Sequence, residues 1–268
     1  MSTIIYPSPI FGPVHSRRLG ISLGINLLPA DGKVCSFDCV YCECGFNADH
    51  RPSQPLPTRE EVARCLEQKL RQMLADRQLP DVLTFAGNGE PTCHPHFAEI
   101  IDDTIRLRNS YCPDAKVSVL SNSTMLHRQS VHDALMRVDN NILKLDTVDP
   151  VYINKVDRPN GAYDVNAVID RMKAFHGHLI IQTMFMRGSL RSASATEETA
   201  VPQSVDNTGE AYVAPWLEAL QAIRPQQVMV YTIDRETPAH GLLKATREQL
   251  DAIRDRVIAL GIPCSASY

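Results

Sequence analysis

Three cysteines fall within one short run, Cys35-Ser-Phe-Asp-Cys39-Val-Tyr-Cys42, with the aromatic Tyr41 directly before the last of them. Thiolates are ligands for soft metals, and this spacing folds three sulfurs into a small volume without help from the rest of the chain. Three thiolates on one loop suit an iron–sulfur cluster that keeps one iron unligated by protein. A structural zinc site usually wants four ligands, often as two separated Cys-x2-Cys pairs; here only Cys44 offers an obvious fourth.

Four further segments carry groups that could act beside such a centre. In Gly87-Asn88-Gly89-Glu90-Pro91-Thr92, Glu90 offers a carboxylate to an amine, and the glycines let backbone carbonyls approach it. Ser121-Asn122-Ser123 presents hydrogen-bonding side chains suited to a ribose. Lys144 and Asp146 form a candidate charge pair, with Asp146 the better candidate for contact with a substrate. Gln182 and Met184 complete the set. Lys155, Asp157 and Arg158 lie in a following loop, where a cation could hold a carboxylate or could simply be solvated. His94 and His96 flank Pro95 at a helix start and read as capping or surface groups rather than ligands. Cys65, Cys112 and Cys264 are scattered, and Cys44 with Cys93 falls short of the convergent set that a second cluster needs.

The elements that must position these groups alternate. Strands are predicted over 19–28, 81–86, 116–121, 142–146, 179–186 and 228–233, with a short closing strand near 265–268. Helices follow: one capped by Thr58 with Glu61 and bearing Val62, Leu66, Leu70, Met73 and Leu74; one bearing Phe97, Ile100, Ile101 and Ile105; one over 126–138; one bearing Val165 to Phe175; one around Trp216 and Leu220; and a last one capped by Thr246 with Gln249. Six βα units imply a parallel sheet. Without a glycine-rich dinucleotide fingerprint, the pattern suggests an α/β partial (β/α)6 TIM-like barrel in a single domain at 19–268. The candidate groups then stand at successive strand ends, on the face where barrel active sites sit. Residues 1–18 read as a proline-rich, irregular N-terminal extension in which Arg17-Arg18 is either a solvated pair or a contact to phosphate. Residues 187–210 are polar and nearly core-free, a lid or an idle insertion.

Composition excludes several classes. Of 268 residues, 44% are hydrophobic and 22% charged, as in a globular protein, and the net charge of −4 is not that of a generally basic nucleic-acid binder. No apolar run approaches the length of a membrane span, and Pro7, Pro9 and Pro13 interrupt any signal core. Dispersed cysteines fit a reducing, cytoplasmic setting.

Taken together, Cys35-x3-Cys39-x2-Cys42 after the first strand and Gly87-Asn-Gly-Glu90 after the second resemble the radical S-adenosylmethionine (SAM) superfamily, over roughly residues 19–260. The resemblance implies that Cys35, Cys39 and Cys42 hold three irons of a [4Fe–4S] cluster and that SAM chelates the fourth. It implies reductive cleavage of SAM to a 5′-deoxyadenosyl radical that abstracts hydrogen from a substrate. By the same analogy Tyr41 packs near the adenine, Gly87, Asn88, Gly89 and Glu90 receive the methionine amine, Ser121 or Asn122 meets the ribose, and Lys144 and Gln182 belong to the cofactor site. A flavodoxin- or ferredoxin-type donor would supply the electron. The run from Phe11 to Ile25 is similar to the Fe–S oxidoreductases grouped with wyosine-type tRNA modification enzymes, although no cysteine precedes Cys35, where the wyosine synthases carry those of a second cluster. The substrate implied is a tRNA nucleoside, a peptide or a small metabolite. The contrasting reading is a non-catalytic Fe–S electron-transfer or carrier protein, which has no need of the Gly-Asn-Gly-Glu segment.

Overall fold

The structure is a computed structural model, in which residues 3–16, 20–190 and 203–268 are described. The Arg17-Arg18 pair and residues 191–202 of the polar stretch lie outside the described residues. The chain divides into two compact units, 4–36 with 47–142 and 37–46 with 143–268, the first three residues going with the latter.

The first unit carries β1 (Ile10–Ser16), β2 (Gly20–Ile25), α1 (Arg59–Ala75), β3 (Val82–Phe85), α2 (Phe97–Tyr111), β4 (Lys116–Ser121) and α3 (Gln129–Leu135), and the start of β5 (Asn140–Lys144). The strands are ordered β1-β2-β3-β4-β5, with β2, β3 and β4 parallel. Every residue of β3 is buried, as expected for a parallel strand covered on both faces. Leu23, Ile25, Leu83, Phe85, Val117 and Val119 of the strands and Val62, Leu66, Leu70 and Ile101 of the helices are all buried in the core. The Thr58 side chain accepts from the Glu61 amide while Glu61 reaches back to Thr58, so the helix start read from sequence is present in full. Leu74, expected on the buried face, is instead 47% exposed.

The N-terminal stretch is not irregular. Residues 10–16 form β1, antiparallel to β2, with a register shift between Phe11 and Val14. Three prolines masked this strand, since proline is confined to edges and bulges of sheets and β1 is an edge. Phe11 lies over Gly24, where an added Cβ would meet its ring at 2.2 Å. The helix expected over 126–138 is confined to Gln129–Leu135, because the chain first turns through Ser123, which takes φ +71°.

The second unit continues from β5 through α4 (Pro150–Val156), α5 (Val165–Lys173), β6 (Ile180–Met184), β7 (Met186–Leu190), β8 (Gln203–Ser204), α6 (Glu210–Ile223), β9 (Gln227–Tyr231), β10 (Leu242–Lys244), α7 (Arg247–Ala259) and β11 (Cys264–Ser267). Strands run β5-β6-β9-β11, with β6, β9 and β11 parallel, so the six expected βα units and the closing strand are all found among the described residues. Trp216 is buried against Phe185 with ring centroids 5.3 Å apart and donates its indole N–H to the Leu145 carbonyl.

Two features of this unit differ from the sequence reading. The loop after β5 contains α4, capped by Asp149, whose carboxylate accepts from the amides of Val151 and Tyr152. Seven residues are too few for the periodic signal that reveals a helix. The polar stretch at 187–210 is not wholly outside the sheet structure: β7 pairs antiparallel with β10 and with β8 in a second, three-stranded sheet. Among the described residues no helix is long and apolar enough to cross a membrane.

Candidate active site

In the first unit, the residue before Cys35 is locked to the glycine segment after β3. Val34 donates its N–H to the Asn88 carbonyl at 2.9 Å and accepts from the Glu90 amide at 3.1 Å, on either side of Gly89. Gly89 must be glycine. Its φ is +132°, and a Cβ there would stand 1.9 Å from the Val34 carbonyl oxygen. Gly87, at φ +135°, is also crowded: a Cβ there would stand 2.7 Å from the Asn26 side chain.

Asn88 is fully buried and braces this turn from behind. Its amide donates to the carbonyls of Tyr6 at 2.9 Å and Pro29 at 2.8 Å, and its oxygen accepts from the Tyr6 N–H at 2.8 Å. Glu90 is 2% exposed. Its Oε1 accepts from the Thr92 N–H, the Thr92 hydroxyl and the Ser121 hydroxyl, and its Oε2 from the Asn122 N–H at 2.6 Å. Burial raises the Glu90 carboxyl above the ordinary range, against the pull of these donors. Glu90 thus ties the end of β4 to the turn after β3, and among the described residues its Oε2 accepts from Asn122 alone, which leaves an acceptor position for an incoming donor.

Asn122 points its side chain toward the cysteine loop: Nδ2 donates to Ser36 Oγ at 2.9 Å and lies 3.5 Å from Cys35 Sγ. Asn47 donates to the Cys35 carbonyl. Cys93 is half-buried beside Ser36, and burial pushes its thiol up to about 11. His94 is a buried bridge rather than a surface group. Its Nε2 meets the Pro57 carbonyl at 2.9 Å and its Nδ1 accepts from the His96 amide, which fixes the neutral tautomer.

In the second unit, the remainder of the cysteine loop is fastened along 156–159. Asp38 N–H donates to the Asp157 carbonyl and Val40 N–H to the Val156 carbonyl, and Phe37 pairs with Pro159. Val40, between Cys39 and Tyr41, is fully buried in a cluster with Tyr152, Val156, Met184, Met186 and Ile233. A turn from the Cys42 N–H to the Cys39 carbonyl at 3.1 Å sets the Cys-x2-Cys geometry. Cys39 and Cys42 are half-buried, as is Cys35 in its own unit.

Beside Cys39 lies a buried charge cluster. Lys144 Nζ contacts Asp146, the Tyr41 hydroxyl and, at 2.8 Å, Asp157 Oδ1. The side chains of Asp146 and Asp157 are 1% and 3% exposed. Tyr41 donates to Asp146, whose other oxygen accepts from the Met184 amide at 2.9 Å. The Cys39 thiol donates to Asp157 at 3.7 Å. Burial raises Asp157 to about 6, opposed by Lys144. Burial acts to lower Lys144, but the two carboxylates outweigh it and hold the ammonium charged. Burial and Asp146 raise the Tyr41 hydroxyl, keeping it a donor. Gln182 sits on β6 at the level where its carbonyl accepts from Leu145, and its side-chain oxygen is enclosed with no donor among the described residues.

Sequence reasoning missed Val40, Ser36 and Thr92, whose types are ordinary and whose roles follow from contact alone. It left the loop of Lys155, Asp157 and Arg158 open between a solvated segment and a charged contact; Asp157 caps the C-terminus of α4 and is buried. Of its loop neighbours, Lys155 donates to the Ser204 carbonyl and Arg158 stacks 5.4 Å over Phe46. Among the described residues no three His, Cys, Asp or Glu side chains converge on a single-ion position, so the cysteine spacing itself carries the ligand assignment. The donor set fits a [4Fe–4S] cluster: three thiols on one anchored loop, one of them already faced by an N–H donor.

Comparison with known proteins gives the family and the fold. The family model of the radical SAM superfamily matches residues 31–189. A UPF0026 protein of Helicobacter pylori is 32% identical over 195 residues, 70% of this chain and 59% of its own length. The chain thus spans about three fifths of that relative. A radical SAM methyltransferase from Sphaerobacter thermophilus superposes with a TM-score of 0.64 at 14% identity, covering 92% of this chain and 66% of that one. The structure of TYW1 with a lysine-pyruvate adduct gives 0.55 at 10% identity, covering 89% and 73%. These structural likenesses establish the fold as a mostly parallel α/β partial barrel of the kind seen in those enzymes. The matched model covers more than half of the chain and includes both the cysteine loop and the glycine segment, so the chain belongs to the radical SAM superfamily.

Proposed function

We propose that this chain is an enzyme in which a [4Fe–4S] cluster on Cys35, Cys39 and Cys42, together with SAM, supplies when bound the reductive cleavage of the sulfonium and a 5′-deoxyadenosyl radical for hydrogen abstraction from substrate. The observation that supports this most is the pairing of Val34 with Gly89. It brings the first cysteine beside the Gly-Asn-Gly-Glu turn, an arrangement that a simple cluster carrier does not require.

The residues have separable tasks. Glu90 orders the turn whose carbonyls and remaining Oε2 acceptor position would take the methionine amine. Ser121 is held by that same carboxylate, beside the place where a ribose would lie. Lys144 offsets negative charge around Cys39, where a thiolate ligand would otherwise face Asp157 with no compensating cation. Asp146 is kept in place by Tyr41 and the Met184 amide and is the group proposed to meet substrate. The electron comes from a flavodoxin- or ferredoxin-type donor.

Anaerobic reconstitution, reduction with dithionite and assay for 5′-deoxyadenosine test the proposal. Reduced, cluster-loaded protein should release 5′-deoxyadenosine and methionine from SAM; none above a protein-free control sinks it. Cys39→Ala should lose the cluster by iron content and visible spectrum.

A further inference from the structure

The resemblance implies that Ser121 or Asn122 meets a ribose; the hydrogen bonds of the Asn122 side chain aim its amide at the cysteine loop. Its Oδ1 accepts from the Thr124 N–H at 3.1 Å and the Thr124 hydroxyl at 2.7 Å. A backbone N–H can only donate, so the oxygen must face Thr124 and the amide cannot be flipped. Nδ2 is thereby turned toward the cysteine loop. It has two hydrogens and meets two acceptors, Ser36 Oγ at 2.9 Å and Cys35 Sγ at 3.5 Å. The frame is held at both ends: the backbone N–H of Asn122 donates to Glu90 Oε2, and Ser36 Oγ lies 2.6 Å from Thr124 Oγ1. Asn122 is 9% exposed, which leaves water little access to compete for the sulfur.

We infer that Asn122 is a positioning residue whose side-chain N–H hydrogen-bonds the Cys35 sulfur and raises the reduction potential of the cluster that Cys35 would hold. The inference rests on the cluster reading above. An N–H donor withdraws electron density from a ligating sulfur and favours the reduced state, one of the recognised controls on cluster potential. Thr124 is part of the device because it selects which end of the amide faces the sulfur.

The test is an anaerobic redox titration of the reconstituted protein, with reduced cluster read by EPR. Asn122→Ala should lower the midpoint by about 59 mV, a tenfold shift in the one-electron equilibrium. Thr124→Ala, which keeps the amide but loosens its aim, should shift it the same way by less. In D2O, pulsed EPR should show an exchangeable deuteron coupled to the wild-type cluster and absent from Asn122→Ala. An unchanged midpoint with a raised KM for SAM overturns the inference and returns Asn122 to the cofactor site. If Asn122→Ala retains no cluster, the Thr124→Ala shift and the wild-type deuteron signal decide, and absence of both overturns it. Wild-type protein that takes up no [4Fe–4S] cluster overturns the functional reading first, before any variant is compared.

Discussion

The surroundings of Glu90 and of Lys144 each bury ionisable groups, and they balance them differently. Glu90 is a single carboxylate held by N–H and O–H donors from Thr92, Ser121 and Asn122, none of which carries a formal charge. Lys144 is an ammonium set between two carboxylates and a phenol. The first arrangement tolerates partial loss, because its burden is spread over several hydrogen bonds. The second does not, because among the described residues Lys144 is the one cation set against both acids. The contrast assigns rigidity to the turn after β3 and electrostatic control to the surroundings of Cys39.

The largest effect is expected from Lys144→Met. It leaves Asp146 and Asp157 buried without a cation and should destabilise the fold by about 3–5 kcal/mol in denaturant titrations. Adding Asp157→Asn should recover part of that loss, and a double variant no better than the single one would show that charge is not the cause. Glu90→Gln should cost less, about 1–3 kcal/mol, since the carboxamide offers one acceptor oxygen where the carboxylate offers two. A cost matching that of Lys144→Met would erase the distinction between the regions.

The smallest effect is a pH dependence beside the Glu90 turn. His94 is 3% exposed, and burial lowers its folded pKa below the ordinary 6.5. The unfolded chain then binds the proton more readily. This contribution to stability is complete above the ordinary histidine pKa and is lost as pH falls through it toward the lower folded value. Stability should therefore fall as pH drops from about 7 toward about 5. His94→Gln should flatten that part of the slope relative to wild type; an identical slope would show that His94 is not its source.

How far the sequence showed these regions follows from the range of the contacts. The capping boxes at Thr58 and Thr246 are devices of short sequence separation, and both form as read. The parallel strands announce themselves by apolar runs between polar helices. The brief α4, the bulged β1 and the small sheet of β7, β8 and β10 carry too few residues for a periodic signal and take their conformation from neighbours. In the site, Glu90 and Asn122 stand out by position after strands, but their partners do not. Nothing in the types of Thr124 or Ser36 says that they orient an amide toward a sulfur, and nothing local links Tyr41 to Lys144 across 103 residues.

By itself, the sequence determined the donor chemistry and the rhythm of the fold. Three thiols at fixed spacing, a glycine turn ending in a carboxylate and alternating βα units are local properties, encoded by residue type and short separation. Tertiary structure alone decided which groups are charged, which are saturated and which way they face. Those properties depend on burial and on partners distant in the chain: Asp157 beside Lys144, Val40 in its apolar cluster, and the amide of Asn122 fixed by Thr124 against the sulfur of Cys35.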